Sequence, residues 1–506
     1  MTARDVARRV LDRVDKGGAW ATLSLDGELS RSGLDERDRR LTSELVYGVL
    51  RNRSRIDRAL AAHADLKRTP PRVVTVLRVA AYQLLFLDRV PGYAAVDDAV
   101  TAARAAGGAK LAGFCNAVLR KLATAGEPAM PSDQRARLEI EHSLPPWIVD
   151  ELAAAAREQP SEPAAGRARD ELTVGARDQP SEPAAGRARD ELTVGARDQP
   201  SEPTAGRVRD ELTVGARDQP SEPTASRAAA SSASTAGQPA AASGERLAAL
   251  AAAFSQPAPI IARVNALRAT RDAVIAELQA VGVTGTPVAA APMALALNGL
   301  GDPARNASFN AGRWTVQDTG AQLVGLIAAP RPGQRILDAC AGVGGKSTHL
   351  AELSGDAAQI DAADQSATKL DLAGEAARRL GITSLSRVVC DLLDPAASLA
   401  AAYDLIVLDA PCSGLGVLRR HPDAKWRLKP ADVPRLAQLQ RQLLDAVAPR
   451  LAPGGALVYS VCTLTRAEGP DQIAALIART GLHLVSEHRT WPPDADAFYI
   501  ARLERR

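Results

Sequence analysis

At 506 residues the chain is longer than one ordinary domain, and its 46% hydrophobic content suits a globular protein with two or three separate cores. No apolar run approaches the ~18 residues of a membrane-spanning helix, so no membrane partner is expected. The five cysteines (Cys115, Cys340, Cys390, Cys412, Cys462) form no CxxC pair and have no neighbouring histidine, which argues against a metal centre or a disulfide scaffold and for a reducing cytoplasm, while the formal net charge of +3 selects no partner by itself.

The N-terminus, MTARDVARRVLDRV, mixes Asp5 and Asp12 with its arginines and spaces Val6, Val10 and Val14 four apart. That reads as the first helix of a folded domain, not a signal or transit peptide. Helical spacing continues through LTSELVYGVLRNRSRIDRAL, PRVVTVLRVAAYQLLFL and AKLAGFCNAVLRKLA, so residues 1–145 are expected to form an all-helical domain. This stretch holds 24 Lys+Arg against 18 Asp+Glu, which makes it the candidate nucleic-acid face. An ordinary solvated helical surface accounts for the charge equally well.

From Gln159 the unit QPSEPAAGRARDELTVGARD repeats every 20 residues, restarting at Gln179 and Gln199 and fading after Gln219. A solenoid needs each repeat to bury an apolar face. The first copy offers only Leu172 and Val174 as larger apolar residues, and the third adds Val208. Chain entropy outweighs so little burial, and a disordered insert is expected over 157–244. Flanking it, 146–156 and 245–330 read as connecting helices and the N-terminal part of the catalytic module, with GERLAALAAAF and TRDAVIAELQAVGV as helices.

In 331–506 short apolar runs alternate with helical stretches: RILDACAG, AQIDAADQ, SRVVCDLL, YDLIVLDAP and GALVYSVCT. The fold class is therefore α/β, a doubly wound parallel sheet that binds ligands at the carboxyl ends of its strands. The first of these strands runs into Cys340-Ala341-Gly342-Val343-Gly344-Gly345-Lys346-Ser347, a glycine loop suited to close backbone approach by a ligand. A dinucleotide fingerprint fails at Ser347; a P-loop misses by one residue, at Cys340, and stays open as an alternative. Asp364 closes the second strand, where a carboxylate can accept from ribose hydroxyls, and Asp391 closes the third. Asp361 falls one pleat early and reads as structural. The fourth and fifth strands end in Asp409-Ala410-Pro411-Cys412 and Ser460-Val461-Cys462, so two thiols are expected to face one pocket.

The loop CAGVGGK, the block DAPCSGLGVLRRHPDAKW and the strand YSVCT together resemble those of the Sun-family RNA cytosine-C5 methyltransferases. The helices containing GFCNAVLR resemble the NusB-like domain of the RsmB-type members, and the likeness covers nearly all of the chain outside the repeat. The resemblance implies an S-adenosyl-L-methionine-dependent methyltransferase fold behind an all-α RNA-binding domain, acting as a cytoplasmic monomer on small-subunit (16S) ribosomal RNA. It implies that Cys340, Ala341, Gly342, Val343, Gly344, Gly345, Lys346, Asp364, Asp391 and Asp409 contact S-adenosyl-L-methionine or the target base. It assigns Cys462 as nucleophile and Cys412 as the cysteine that assists product release. The chain departs from the family pattern at Gly342 and Val343, where CAAPGGK is usual, and at Val461, where threonine is usual.

Chemistry gives these residues an order of events. Thiolate addition to carbon 6 of cytosine makes carbon 5 nucleophilic, and a donor near the ring stabilises the charge that builds there. Asp409, protonated or bonded to the exocyclic amine, is the expected donor or anchor. Arg419, Arg420, His421 and Lys425 are expected along the RNA path, a solvated loop accounting for each of them equally well, and Trp426 is expected as packing. A P-loop NTPase and a non-catalytic RNA-binding assembly factor are the competing functions.

Overall fold

The computed structural model describes residues 1–158, 238–394 and 396–506. The expected insert over 157–244 falls mostly outside them. Its margins are helical, since one helix runs Pro146–Glu158 and the next Gln238–Ser255.

Eight helices precede residue 159, from Ala3–Gly17 to Pro146–Glu158. The first is started by a capping box, in which the Thr2 hydroxyl takes the Asp5 N–H and the Asp5 carboxylate takes the Thr2 N–H. Val6, Val10 and Val14 point into one core with Leu45, Val49, Leu77, Val79 and Leu119. The spacing read from the sequence is thus the spacing of burial.

Residues 260–316, expected as connecting helix and module edge, contain an antiparallel sheet. Its strands are β1 (Ile260–Val264), β2 (Thr284–Pro287), β3 (Ala294–Asn298) and β4 (Trp314–Val316), in the order β2-β3-β1-β4. The helix Arg271–Ala280 packs Val274 and Leu278 against Ala262, Val264, Leu295 and Trp314. Strands this short, one of them TGTP, carry little periodicity, which is why the flanking helices dominated the reading.

The seven-stranded sheet that follows comprises β5 (Arg335–Ala339), β6 (Gln359–Asp364), β7 (Leu385–Val389), β8 (Tyr403–Asp409), β9 (Leu451–Val461), β10 (His483–Arg489) and β11 (Tyr499–Glu504), in the order β10-β11-β9-β8-β5-β6-β7. Five strands are parallel, as expected, but β11 runs against both β9 and β10, so the sheet is mixed. The connection 490–498 contains no helix to carry a crossover, and only an antiparallel return is open to it. Alternate residues feed opposite faces. Leu337, Ile406 and Leu408 pack under the helices Asp432–Val447 and Pro470–Thr480, while Ile336, Leu405 and Val407 pack under Thr319–Ala328, Gly345–Leu353 and Ala367–Leu380. The carboxyl ends of β5, β6, β8 and β9 therefore share one edge. Among the described residues no helix is long and apolar enough to cross a membrane.

Candidate active site

After β5 the backbone turns left-handed at Cys340 (φ +63°), Gly342 (φ +58°) and Gly344 (φ +79°) before entering the helix Gly345–Leu353. The loop is tied to the neighbouring strand: Ala341 N–H donates to the Ala363 carbonyl at 2.9 Å and Gly342 N–H to Asp364 Oδ2 at 3.0 Å. Asp364 Oδ1 accepts the Ser366 N–H at 2.8 Å, starting the next helix. Each carboxylate oxygen keeps a second lone pair for a ligand hydroxyl. Asp391 lies two residues beyond β7, exposed, accepting from Gln365 Nε2 at 3.1 Å and the Leu393 N–H at 2.9 Å. Val343 is 54% exposed at the tip of the loop.

The first turn of the glycine-loop helix is held from the antiparallel sheet. Arg263 of β1, fully buried, donates to the Gly345 carbonyl at 2.9 Å and to Thr348 Oγ1 at 3.1 Å, and grips Glu352 through two bonds of 2.9 and 2.7 Å. Sequence reading gave β1 no such role, because its partners lie more than eighty residues away.

Lys346 turns inward. Its Nζ sits 2.5 Å from Asp409 Oδ2, while Asp409 Oδ1 accepts the Ser460 hydroxyl at 2.7 Å. Burial works against the ammonium charge, but the Asp409 carboxylate outweighs it and raises the Lys346 pKa, with the Cys462 sulfur among the smaller contributors. Asp409 is thus an ion-pair partner, each of whose oxygens carries a hydrogen bond. The P-loop expectation changes here. A P-loop lysine must be free for phosphates, and Lys346 is bound to a carboxylate. Below it, burial pushes Asp338 up to about 7 against the Ser347 hydroxyl that donates to it.

Cys412 and Cys462 lie just past the ends of β8 and β9, and their sulfurs are 3.3 Å apart. The hydrogen bond to Cys462, then burial, then the charges of Cys462, Glu468 and Asp409 drive the Cys412 pKa well up. Burial, followed by Asp364, Asp409 and Asp338, likewise raises Cys340.

Glu468 was absent from the sequence reading. Its buried carboxylate accepts from Ser413 N–H (2.7 Å), Ser413 Oγ (2.6 Å), Thr463 Oγ1 (3.0 Å), Thr465 Oγ1 (2.9 Å) and Gln440 Nε2 (3.2 Å). The available signal was the run Thr463-x-Thr465-x-x-Glu468, hydroxyls and a carboxylate directly after the second cysteine.

Of the expected RNA-path residues, Arg419 and Lys425 are buried and Arg420 and His421 half-buried. Arg419 is bonded to buried Asp496 at 2.5 Å, and Arg420 to Asp496 and to Asp318 at 2.7 Å. His421 meets Trp20 edge-on, and Lys425 is buried with its Nζ 3.3 Å from the Arg51 carbonyl and 3.2 Å from that of His142. Trp426 packs against the helical core and donates to the Leu50 carbonyl at 2.8 Å. A cavity of about 470 Å³ lined by Ser54, Trp147, Lys425 and Trp426 opens on this seam, away from the cysteines.

Residues 325–504 match the family model described as 16S rRNA methyltransferase RsmB/F, residues 1–124 the NusB family, and residues 238–302 the ferredoxin-like domain of RsmF/B-like methyltransferases. The chain is 30% identical over 497 residues to the probable ribosomal RNA small subunit methyltransferase B of Synechocystis sp., covering 97% of this chain and 90% of that one. It is 30% identical over 521 residues to ribosomal RNA small subunit methyltransferase B of Pseudomonas putida, covering 99% and 98%. The crystal structure of PH0851 shares the fold at a TM-score of 0.70 and 20% identity, covering 100% of this chain and 99% of that one.

Proposed function

The chain belongs to the ribosomal RNA small subunit methyltransferase B family, and from that premise we propose that it methylates carbon 5 of a cytosine in 16S ribosomal RNA, with Cys462 as covalent nucleophile. The observation that carries the reading is the sulfur pair: two thiols 3.3 Å apart at adjacent strand ends, beside a half-buried lysine–aspartate pair.

Carbon 5 of cytosine is too weak a nucleophile to take a methyl group unaided, and a thiolate bonded to carbon 6 activates it. Cys412 is held protonated and its sulfur meets that of Cys462 at 3.3 Å, and in this reading Cys462 is the sulfur that attacks as thiolate. Lys346 supplies positive charge where the ring becomes electron-rich, and an Asp409 oxygen accepts from the exocyclic amine, which uracil lacks. S-adenosyl-L-methionine supplies the electrophilic methyl group. The left-handed loop Cys340–Lys346, open to approach at Gly342, and the Asp364 carboxylate fit its amino-acid and ribose portions, with Asp391 beside the base.

Release closes the proton balance. Methylation of a C–H carbon yields one proton overall, and Cys412 gives its own to solvent. The resulting Cys412 thiolate takes the proton from carbon 5, the ring double bond re-forms, and Cys462 leaves as thiolate. The pair returns to its starting state. A cytosine must be unstacked to reach this edge, so a loop or single-stranded nucleotide is the substrate, held by the NusB-like helices. Both sulfurs must stay reduced at 3.3 Å, which fits the cytoplasm, and one chain supplies every group named, which fits a monomer.

The test is trapping. Cys412→Ala should accumulate a protein–RNA adduct that survives denaturation, and Cys462→Ala should form none. If both variants behave alike, the division between the cysteines is wrong. A wild-type chain that binds RNA yet transfers no label from the methyl donor would instead be an assembly factor.

A further inference from the structure

Ser413 and Thr463 each follow a cysteine of the pair, and one carboxylate holds both. Glu468 takes the Ser413 N–H and hydroxyl on one side and the Thr463 and Thr465 hydroxyls on the other. The two hydroxyls also meet each other at 2.9 Å, and Gln440 bridges Glu468 to the Pro411 carbonyl at 2.9 Å. All these donors are neutral, so the carboxylate charge is delocalised into hydrogen bonds and not cancelled by a cation at contact.

We propose that Glu468 is the positioning residue of the two-cysteine cycle: its carboxylate fixes both strand-end loops so that the sulfurs meet. The role rests on the cytosine reading above. It adds a group that touches neither base nor methyl donor and acts through Cys412.

The charges around Cys412 come from several elements. Cys462 lies past β9, Asp409 ends β8 with Lys346 behind it, and Glu468 stands on the loop after Cys462. Tyr459 of β9 feels Cys412, and Glu151 of the helix Pro146–Glu158 feels Glu468. Lys346 pairs with Asp409, whereas Glu468 has only neutral hydrogen-bond donors among the contacts named above. Replacing Glu468 by glutamine removes a negative neighbour, which makes the Cys412 thiolate easier to form.

The experiment uses the full chain carrying Cys462→Ala, so that the sulfur coupling is gone. Iodoacetamide labelling of Cys412, read by peptide mass spectrometry across pH, gives its ionisation midpoint. Glu468→Gln should lower that midpoint by about one pH unit. Glu468→Asp keeps the charge and should leave it close to the parent, while slowing adduct decay in a chain with both cysteines because the loops are displaced. In that two-cysteine background the rise of adduct release with pH should move to lower pH with Gln and stay with Asp. A midpoint unmoved by Gln, or moved equally by Asp, overturns the role of Glu468 alone. A Cys412→Ala chain that forms no RNA adduct overturns the cysteine cycle and this role with it.

Discussion

Gly342 and Gly344 sit two residues apart in the same loop under different constraints. A Cβ on Gly342 meets nothing nearer than the Cys340 carbonyl oxygen at 4.0 Å, whereas on Gly344 it would lie 2.6 Å from the Ala373 Cβ and 3.0 Å from the Ala373 Cα. Gly342→Ala therefore adds only left-handed strain, about 1–2 kcal/mol. Gly344→Ala adds the displacement of the helix Ala367–Leu380 and should lose more stability and more affinity for the methyl donor. Thermal melts beside calorimetric titration with S-adenosyl-L-methionine check the order, and equal losses would contradict it. At this scale the glycines, Asp364 and the two cysteines were legible, because each stands at a strand end that periodicity locates. The Lys346–Asp409 pair and the Glu468 network were not. Asp409 is sixty-three residues from Lys346, and Ser413 is fifty-five from Glu468, so only the folded sheet brings them together.

Among the elements, the segment after Cys412 departs furthest from its sequence. Five charged or titratable side chains in RRHPDAKW suggest a solvated basic loop, yet the loop plugs the seam between the helical and catalytic domains. Its partners Asp496, Asp318, Arg51 and His142 lie far off in the chain, and nothing local announces them. Lys425 makes the consequence measurable. Burial, with Arg51 adding to it, pushes its pKa down to about 7 from the ordinary lysine value. The unfolded chain then holds more protons than the folded one between about pH 7 and the usual lysine pKa near 10.4. Stability should rise with pH across that window, and the contribution is lost as pH falls through 7. In Lys425→Met that part of the slope should vanish, seen as a difference between the denaturation midpoints of variant and wild type from pH 6 to 10. Parallel profiles would show that Lys425 is solvated in the folded protein.

For the molecule as a whole the question is what the repeat interrupts. The helices on either side of it, Pro146–Glu158 and Gln238–Ser255, belong to one apolar cluster: Leu152, Ala155 and Ala156 with Leu250, Ala251 and Phe254. Leu415, Leu418, Leu464 and Ala497 of the catalytic domain complete it. The Ser255 hydroxyl bonds the His142 carbonyl just ahead of the first helix, so the second helix returns alongside it. The sequence showed where the repeat begins and how little apolar surface it offers, but not that its flanks pack together, because the Ala-rich helix 238–255 presents few large residues to count. Every residue assigned to the sulfur pair, the glycine loop and the Glu468 network lies outside 159–237. Replacing that stretch by a short Gly/Ser linker should therefore leave the thermal midpoint within a few degrees and methylation of 16S RNA within about twofold, since joining two helices that already pack together costs only loop-closure entropy. A deletion that kept the melt but abolished RNA methylation would locate a substrate contact in the repeat and require its near-identical copies to be read as a binding array.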